Sequence, residues 1–85
     1  MNEGQKFPIK LKTGQITEAE LIERVKFNNK DFAFYAVENP NDTVDIYTSY
    51  IVKDEQGFDR LADITDDEDL IWAVDYINEL VKMGE

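Results

Sequence analysis

Short polar turns interrupt the chain four times between residues 13 and 57, and their spacing is the sequence feature that most constrains the fold. The turns are Thr13-Gly14 and residues 28–31, 38–43 and 54–57. Several of the segments between them are rich in β-branched and aromatic residues, which favour extended strands. Such segments, bounded by Gly, Pro, Asn and Asp, predict hairpins in which each strand pairs with the next one along the chain.

The first predicted strand, at residues 6–12, has the properties of a sheet edge. Its apolar residues Phe7, Ile9 and Leu11 alternate with polar ones, so they would face the core together. Pro8 cannot donate a ladder hydrogen bond, and the lysines discourage a further strand from pairing. The sequence therefore predicts an edge strand here.

Residues 16–27 fit two structures. For a helix, Thr17 and Glu20 form a capping box, and Leu21, Ile22 and Val25 follow at helical spacing. For a strand, one face would carry four apolar residues, and Glu23 would interrupt their alternation. These four are Ala19, Leu21, Val25 and Phe27. The local pattern slightly favours the helix.

Three later segments predict strands more clearly. Residues 32–37 are apolar on both faces, as in an interior strand that is covered on two sides. Residues 44–53 alternate regularly and predict a long strand, and residues 58–64 predict a shorter one.

Residues 63–69 carry five carboxylates and precede an apolar segment. Thr65 is a suitable N-cap, and Glu68 three residues later completes a capping box. Carboxylates in a first helical turn face the positive end of the helix dipole, which is worth about 0.3–1 kcal/mol each. We therefore predict an acidic cluster that caps a helix, formed by Thr65, Asp66, Asp67 and Glu68.

The same acids alternate like the ligands of a calcium loop that begins at Asp63. However, Glu68 stands where the loop needs a turn-forming Gly, and Val74 stands where it needs a bidentate Glu. A divalent-cation site here is the weakest of the hypotheses, and the sequence predicts no metal and no cofactor.

The helix that follows has an apolar arc covering about half its circumference, which is wider than one covered face needs. The residues predicted to face the core are Leu70, Ala73, Val74, Ile77, Leu80 and Val81. Trp72, Tyr76 and Met83 flank them and form the candidate partner surface, because Trp and Tyr are typical interface anchors. The alternatives are that these side chains cover the sheet edge within the chain, or that they form a homodimer.

The missing residue types exclude several kinds of chemistry. The chain has no His and no Cys, so it cannot build Cys–His or Ser–His pairs or zinc sites of thiolate and imidazole. Its only serine is Ser49, and its four glycines form no phosphate-binding loop. We therefore predict that the protein is not an enzyme.

The charge is unevenly distributed. Residues 1–30 carry a net charge of +2 and residues 31–85 a net charge of −12. This field repels phosphate backbones, so it predicts no direct nucleic-acid binding and favours a basic protein partner, or solubility alone. The chain lacks cysteines, a signal-like apolar segment in residues 1–15 and a membrane-length apolar run, so we expect a cytoplasmic protein without membrane contact.

The stretch NNKDFAFYAVENPNDTVDIYTSYIVKDEQGFDRLADITDDED resembles the YrzB-like family of small acidic bacterial proteins, a domain of unknown function. The resemblance implies a strand at residues 19–27 and no known activity. Members often lie beside a gene for a resolvase-like nuclease, which implies a role near RNA metabolism. Two features depart from the family: Leu70 holds the slot of an aromatic residue, and no long acidic tail follows Lys82.

Together these observations predict a single α+β domain over residues 1–85, an antiparallel β-meander of four to five strands with one C-terminal α-helix packed on a face. We expect a non-enzymatic protein-interaction or regulatory module. The alternative is an acidic nucleic-acid mimic that occupies the basic cleft of a nuclease or a ribosome-associated factor. The sequence identifies neither the partner nor the oligomeric state.

Overall fold

A computed structural model describes residues 3–11, 13–39 and 41–83. One antiparallel sheet has its strands in chain order, β1-β2-β3-β4-β5, and a C-terminal helix packs on one face of it. This arrangement confirms the predicted α+β meander. The elements are β1 (Lys6–Lys10), β2 (Ile16–Phe27), β3 (Lys30–Glu38), β4 (Val44–Lys53), β5 (Asp59–Ala62) and α1 (Asp67–Met83).

The hairpin between β2 and β3 is closed by two asparagines. Phe27 pairs with Lys30, and Asn28 and Asn29 between them have φ angles of 57° and 64°. Two consecutive residues with positive φ match the right-handed twist of the strands, and Asn tolerates this conformation better than most residues. The predicted hairpin is therefore confirmed, but its turn has only two residues, because Lys30 and Asp31 belong to β3.

Residues 16–27 form a strand, so the local preference for a helix is wrong. The Thr17 hydroxyl does not cap a helix but donates to the Glu38 carbonyl oxygen at 3.1 Å. A register shift between Leu21 and Glu23 marks a β-bulge, which adds one residue to the strand and exchanges its two faces. Ala19 and Leu21 consequently lie on one face and Val25 and Phe27 on the other, which explains the interrupted alternation.

The sheet is curled toward the face opposite the helix, which we call the concave face. Arg24 of β2 places its Nη1 atom 3.5 Å from Oδ2 of Asp59 in β5, although two strands lie between them. On a flat sheet these strands would be about 14 Å apart, farther than the two side chains reach. Apolar residues from all five strands fill the concave face, namely Phe7, Ile9, Ala19, Leu21, Ala33, Tyr35, Val37, Ile51 and Leu61, and Leu11 beyond β1 joins them.

The last strand is shorter than predicted and covers only part of its neighbour. β5 pairs with Tyr50 to Lys53, the last four residues of β4. The chain then leaves the sheet, because Ile64 packs on the helix face and the Asp66 N–H donates to the Tyr50 hydroxyl at 3.3 Å. Among the described residues, no strand lies opposite the outer edge of β4 from Val44 to Ser49.

Candidate functional site

The helix is rotated from the predicted orientation: Ala73, Ile77 and Leu80 pack against the sheet as predicted, but Asp69 is buried with them. Ala73 and Asp69 are fully buried, whereas Leu70, Val74 and Val81, all predicted to be core residues, are exposed by 46, 47 and 47%. The small Ala73 side chain and the flat Trp72 ring fit against the aromatic side chains of the sheet, which determines the rotation of the helix.

Trp72 is an anchor of the helix on the sheet. Its ring stacks on Phe27 with a centroid distance of 4.2 Å and an interplanar angle of 3°. Phe32 and Phe34 approach it edge-on at 4.8 and 5.9 Å. Such pairs add about 0.5–1.5 kcal/mol beyond the area that they bury.

Tyr76 extends the same cluster one turn further along. Its ring lies 4.6 Å from Phe34, and its hydroxyl donates to Oε2 of Glu23 at 2.6 Å. Of the three residues predicted to form a partner surface, only Met83 is largely exposed, at 82%. Trp72 and Tyr76 are half-buried and pack against the sheet, as in the alternative that they cover it within the chain.

The bond to Glu23 raises the pKa of Tyr76 to about 12, because the phenol proton is held by the carboxylate and partial burial disfavours the phenolate. We therefore expect a tyrosine absorbance titration to show a late ionisation near pH 12. In Tyr76→Phe this step should be smaller by one tyrosine, leaving the contribution of Tyr35, whose pKa is also raised by burial. A titration that is complete by pH 11 in the native chain would contradict the assignment.

Four of the exposed apolar residues of the helix form a separate surface, which we call the helix strip. It consists of Leu70, Ile71, Val74 and Val81. Leu70, Val74 and Val81 follow at helical spacing, so they lie in one row about 16 Å long. Trp72 lies on the flank of the helix toward β2, and helical spacing places the helix strip on the opposite flank, away from β2.

The N-cap of the helix is one residue later than predicted. Oδ1 of Asp66, not the Thr65 hydroxyl, accepts the backbone N–H groups of Glu68 at 2.9 Å and Asp69 at 3.4 Å. Asp67, Glu68 and Asp69 occupy the first turn. A cap at Asp66 makes Asp69 the third helical residue, and Asp69 then points at the sheet.

Asp69 is the centre of a buried polar cluster that was not predicted from the sequence. Its Oδ2 atom accepts hydrogen bonds from Lys30 Nζ at 2.6 Å and from the Tyr50 hydroxyl at 2.7 Å. Its Oδ1 atom accepts from Asn28 Nδ2 at 3.3 Å. The cluster therefore joins the helix N-terminus to the β2–β3 hairpin and to β4.

These bonds favour the ionised form of the pair. The hydrogen bond from Lys30 lowers the pKa of Asp69, and the bonds from Tyr50 and Asn28 act in the same direction against its desolvation. The pKa of Lys30 is raised by the same hydrogen bond. Three donors therefore hold the carboxylate in its ionised form, and the cluster connects the helix N-terminus to the sheet.

The signal for Asp69 was present in the spacing of the chain. Asp69, Ala73, Tyr76 and Leu80 follow the i, i+4, i+7, i+11 pattern of a buried helix face. From the sequence alone we group Asp69 instead with the neighbouring acids, because a carboxylate is unusual at a core position without a specific partner. That partner, Lys30, lies 39 residues earlier in the chain.

The acids at residues 63–69 do not converge. Throughout residues 3–11, 13–39 and 41–83, no three acidic side chains are placed to hold one metal ion. In the same part of the chain, no helix has the length and apolar character needed to cross a membrane.

Comparison with known proteins gives no relative. No protein-family model, no curated protein and no solved structure matches the chain.

Proposed function

We propose that the protein is a non-enzymatic docking module whose helix strip binds a basic partner protein. The observation that carries the proposal is the exposure of Leu70, Ile71, Val74 and Val81 on a helix that is firmly attached by its other side. A row of exposed apolar side chains rimmed by polar residues is typical of interaction sites. The proposal includes a cytoplasmic location and membership of the YrzB-like family.

The charge around the helix strip determines the chemistry of the partner. The helix carries five acids, Asp67, Glu68, Asp69, Asp75 and Glu79, and one base, Lys82. Asp69 is already paired with Lys30 and Glu79 with Lys82, which leaves Asp67, Glu68 and Asp75 to act on a partner. A second copy of the chain would bring the same charge, and the net charge of −10 opposes such a dimer. Lys or Arg residues beside apolar ones fit this surface better.

The absence of His and Cys from the sequence supports a non-enzymatic role. The acidic-mimic alternative is less well supported, because Asp59 and Asp69 form ion pairs within the chain. Other acids are separated along the chain by β4: Asp42 precedes this strand, and Asp54 and Glu55 follow it.

Substitution of the helix strip tests the proposal. The native chain is expected to retain a basic protein from an extract of the cells that produce it, and added salt should weaken that retention. In Leu70→Gln/Val74→Gln we expect at least about a tenfold loss of affinity, because two exposed apolar contacts are replaced without changing the charge. Affinity is measured by titration of the purified partner.

The matched control is Ile16→Gln/Met83→Gln, which makes the same chemical change at two exposed apolar residues outside the helix strip. It should bind like the native chain. Equal binding by the native chain and the helix-strip variant would refute the proposal, as would failure of the native chain to retain any protein.

A further inference from the structure

The outer edge of β4 is open from Val44 to Ser49. The alternating direction of the backbone N–H and C=O groups along the strand shows which of them point to this open edge. The Asp54 N–H donates to the Phe58 carbonyl across the β4–β5 hairpin at 2.9 Å. Even-numbered residues of β4 therefore direct their backbone groups away from β3, since the direction alternates along a strand. At the open edge these residues are Val44, Ile46 and Thr48, and no strand of the described chain lies opposite them.

This edge lacks the lysines and prolines with which proteins often prevent strand pairing, although it carries Asp45. The other sheet edge, β1, carries Lys6, Pro8 and Lys10. Between Val44 and Ser49 there is no lysine and no proline, and the segment is rich in β-branched and aromatic residues. An unprotected edge of this composition is a template for an added strand.

Apolar surface borders the open edge on both faces of the sheet. On the concave face a cavity of about 570 Å³ lies beside it, lined in part by Ile9, Leu11, Tyr35 and Tyr47. On the helix face the first turn of the helix is bonded to Tyr50 of β4 through Asp69, and the helix strip is on the flank of the helix that faces away from β2. A strand added to β4 would therefore find apolar contacts for both of its faces.

The β4 strand also contains an unsatisfied side chain. The Thr48 hydroxyl is shielded from solvent, and within residues 3–11, 13–39 and 41–83 it has no hydrogen-bond partner. Buried hydroxyls rarely remain unpaired in native structures. The backbone N–H and C=O groups of the same residue point to the open edge of β4.

Charge favours a basic strand. Asp45 on the open segment and Asp63 at the cavity are exposed, although Lys10 also lines that cavity. Within the chain, β1 is already an example of a basic strand that pairs with an acidic neighbour, since Lys6 of β1 lies 3.7 Å from Glu18 of β2. A strand that alternates Lys or Arg with apolar residues would suit an acidic chain in the same way.

We infer that the open edge of β4 binds an extended, basic segment of a partner by β-strand addition, with the helix strip covering one face of the added strand. This inference rests on the proposed function and specifies how the partner is held. Its occupant is a strand with Lys or Arg at alternate positions.

The probe is the acetylated and amidated peptide Lys-Val-Lys-Ile-Lys-Val-Lys, and the readout is amide hydrogen exchange of the full chain by NMR. At a peptide concentration ten times its dissociation constant, exchange of the Val44, Ile46 and Thr48 amides should slow about tenfold. The amides of Asp45, Tyr47 and Ser49 point to β3 and serve as the internal control.

Two N-methylated peptides separate strand addition from charge attraction. One peptide carries methyl groups on the backbone nitrogens of its Val and Ile residues, and the other on the backbone nitrogens of its Lys residues. The lysine side chains are unchanged, so the two peptides have equal charge. An added strand uses alternate amides, so only one of the two should still bind. Equal binding of both peptides overturns the inference, as does an absence of protection at about 1 mM peptide.

Protection of the three amides by a second copy, seen as a dependence on protein concentration without peptide, also overturns it. The two proposals fail separately. If Leu70→Gln/Val74→Gln weakens partner binding while the β4 amides remain unprotected, the proposed binding by the helix strip is supported and the inference of strand addition is refuted.

Discussion

Trp72→Ala is expected to lower the free energy of unfolding by about 3–5 kcal/mol, which is typical for removal of a packed aromatic side chain. The substitution removes the ring contacts with Phe27, Phe32 and Phe34 and leaves a cavity between helix and sheet. Small domains have a total stability of about 5–15 kcal/mol, so the variant should be close to unfolding at 25 °C. Urea denaturation followed by far-UV circular dichroism measures the change, since the variant lacks tryptophan.

Met83→Ala is the matched control for this experiment. Met83 is another of the three residues first assigned to a partner surface, but it is largely exposed at the C-terminal end of the helix. Its loss should change the free energy of unfolding by no more than about 0.5 kcal/mol. A decrease in the free energy of unfolding of less than about 1 kcal/mol for Trp72→Ala would show that the aromatic cluster does not hold the helix on the sheet.

Asp69→Asn should give the second large effect, a fall in Tm of about 10 °C or more at pH 7, because Lys30 would lose its carboxylate partner. The substitution should also remove part of the acid sensitivity of the native chain. The pKa of Asp69 is lowered in the folded state, so the unfolded state takes up a proton at a higher pH than the folded state.

The resulting stability is complete above the unfolded pKa of about 3.9 and is lost as the pH falls through the lower, folded pKa. Thermal unfolding of the native chain between pH 7 and 2 should show this loss, and Asp69→Asn should show less of it. Asp67→Asn makes the same change at an exposed carboxylate of the first helical turn and serves as the control. Identical pH profiles for native chain and Asp69→Asn would contradict the role of the cluster.

The strand order could be predicted because its determinants are local. Turn-forming residues and two-residue periodicity are read directly from neighbouring positions, and they gave the meander and the final helix correctly. Residues 16–27 were ambiguous because the bulge between Leu21 and Glu23 changes the face that later residues occupy. A bulge leaves an apolar pattern that fits neither the two-residue period of a strand nor the 3.6-residue period of a helix well.

The orientation of the helix could not be predicted, because it depends on partners distant in sequence. The helix has more apolar residues than one face can bury, so several rotations have similar apolar burial. Lys30 and Tyr50 select the rotation that buries Asp69, and Phe27 selects the one that buries Trp72. Those contacts expose Leu70 and Val74, which local pattern had placed in the core.

The bulge in β2 has a consequence for how the molecule unfolds. Before it, Ala19 and Leu21 belong to the concave core, and after it, Val25 and Phe27 belong to the core beneath the helix. One continuous strand is thus shared by two hydrophobic cores that otherwise lie on opposite sides of the sheet. Loss of either core removes support from the other, so the two should melt together in a single cooperative transition.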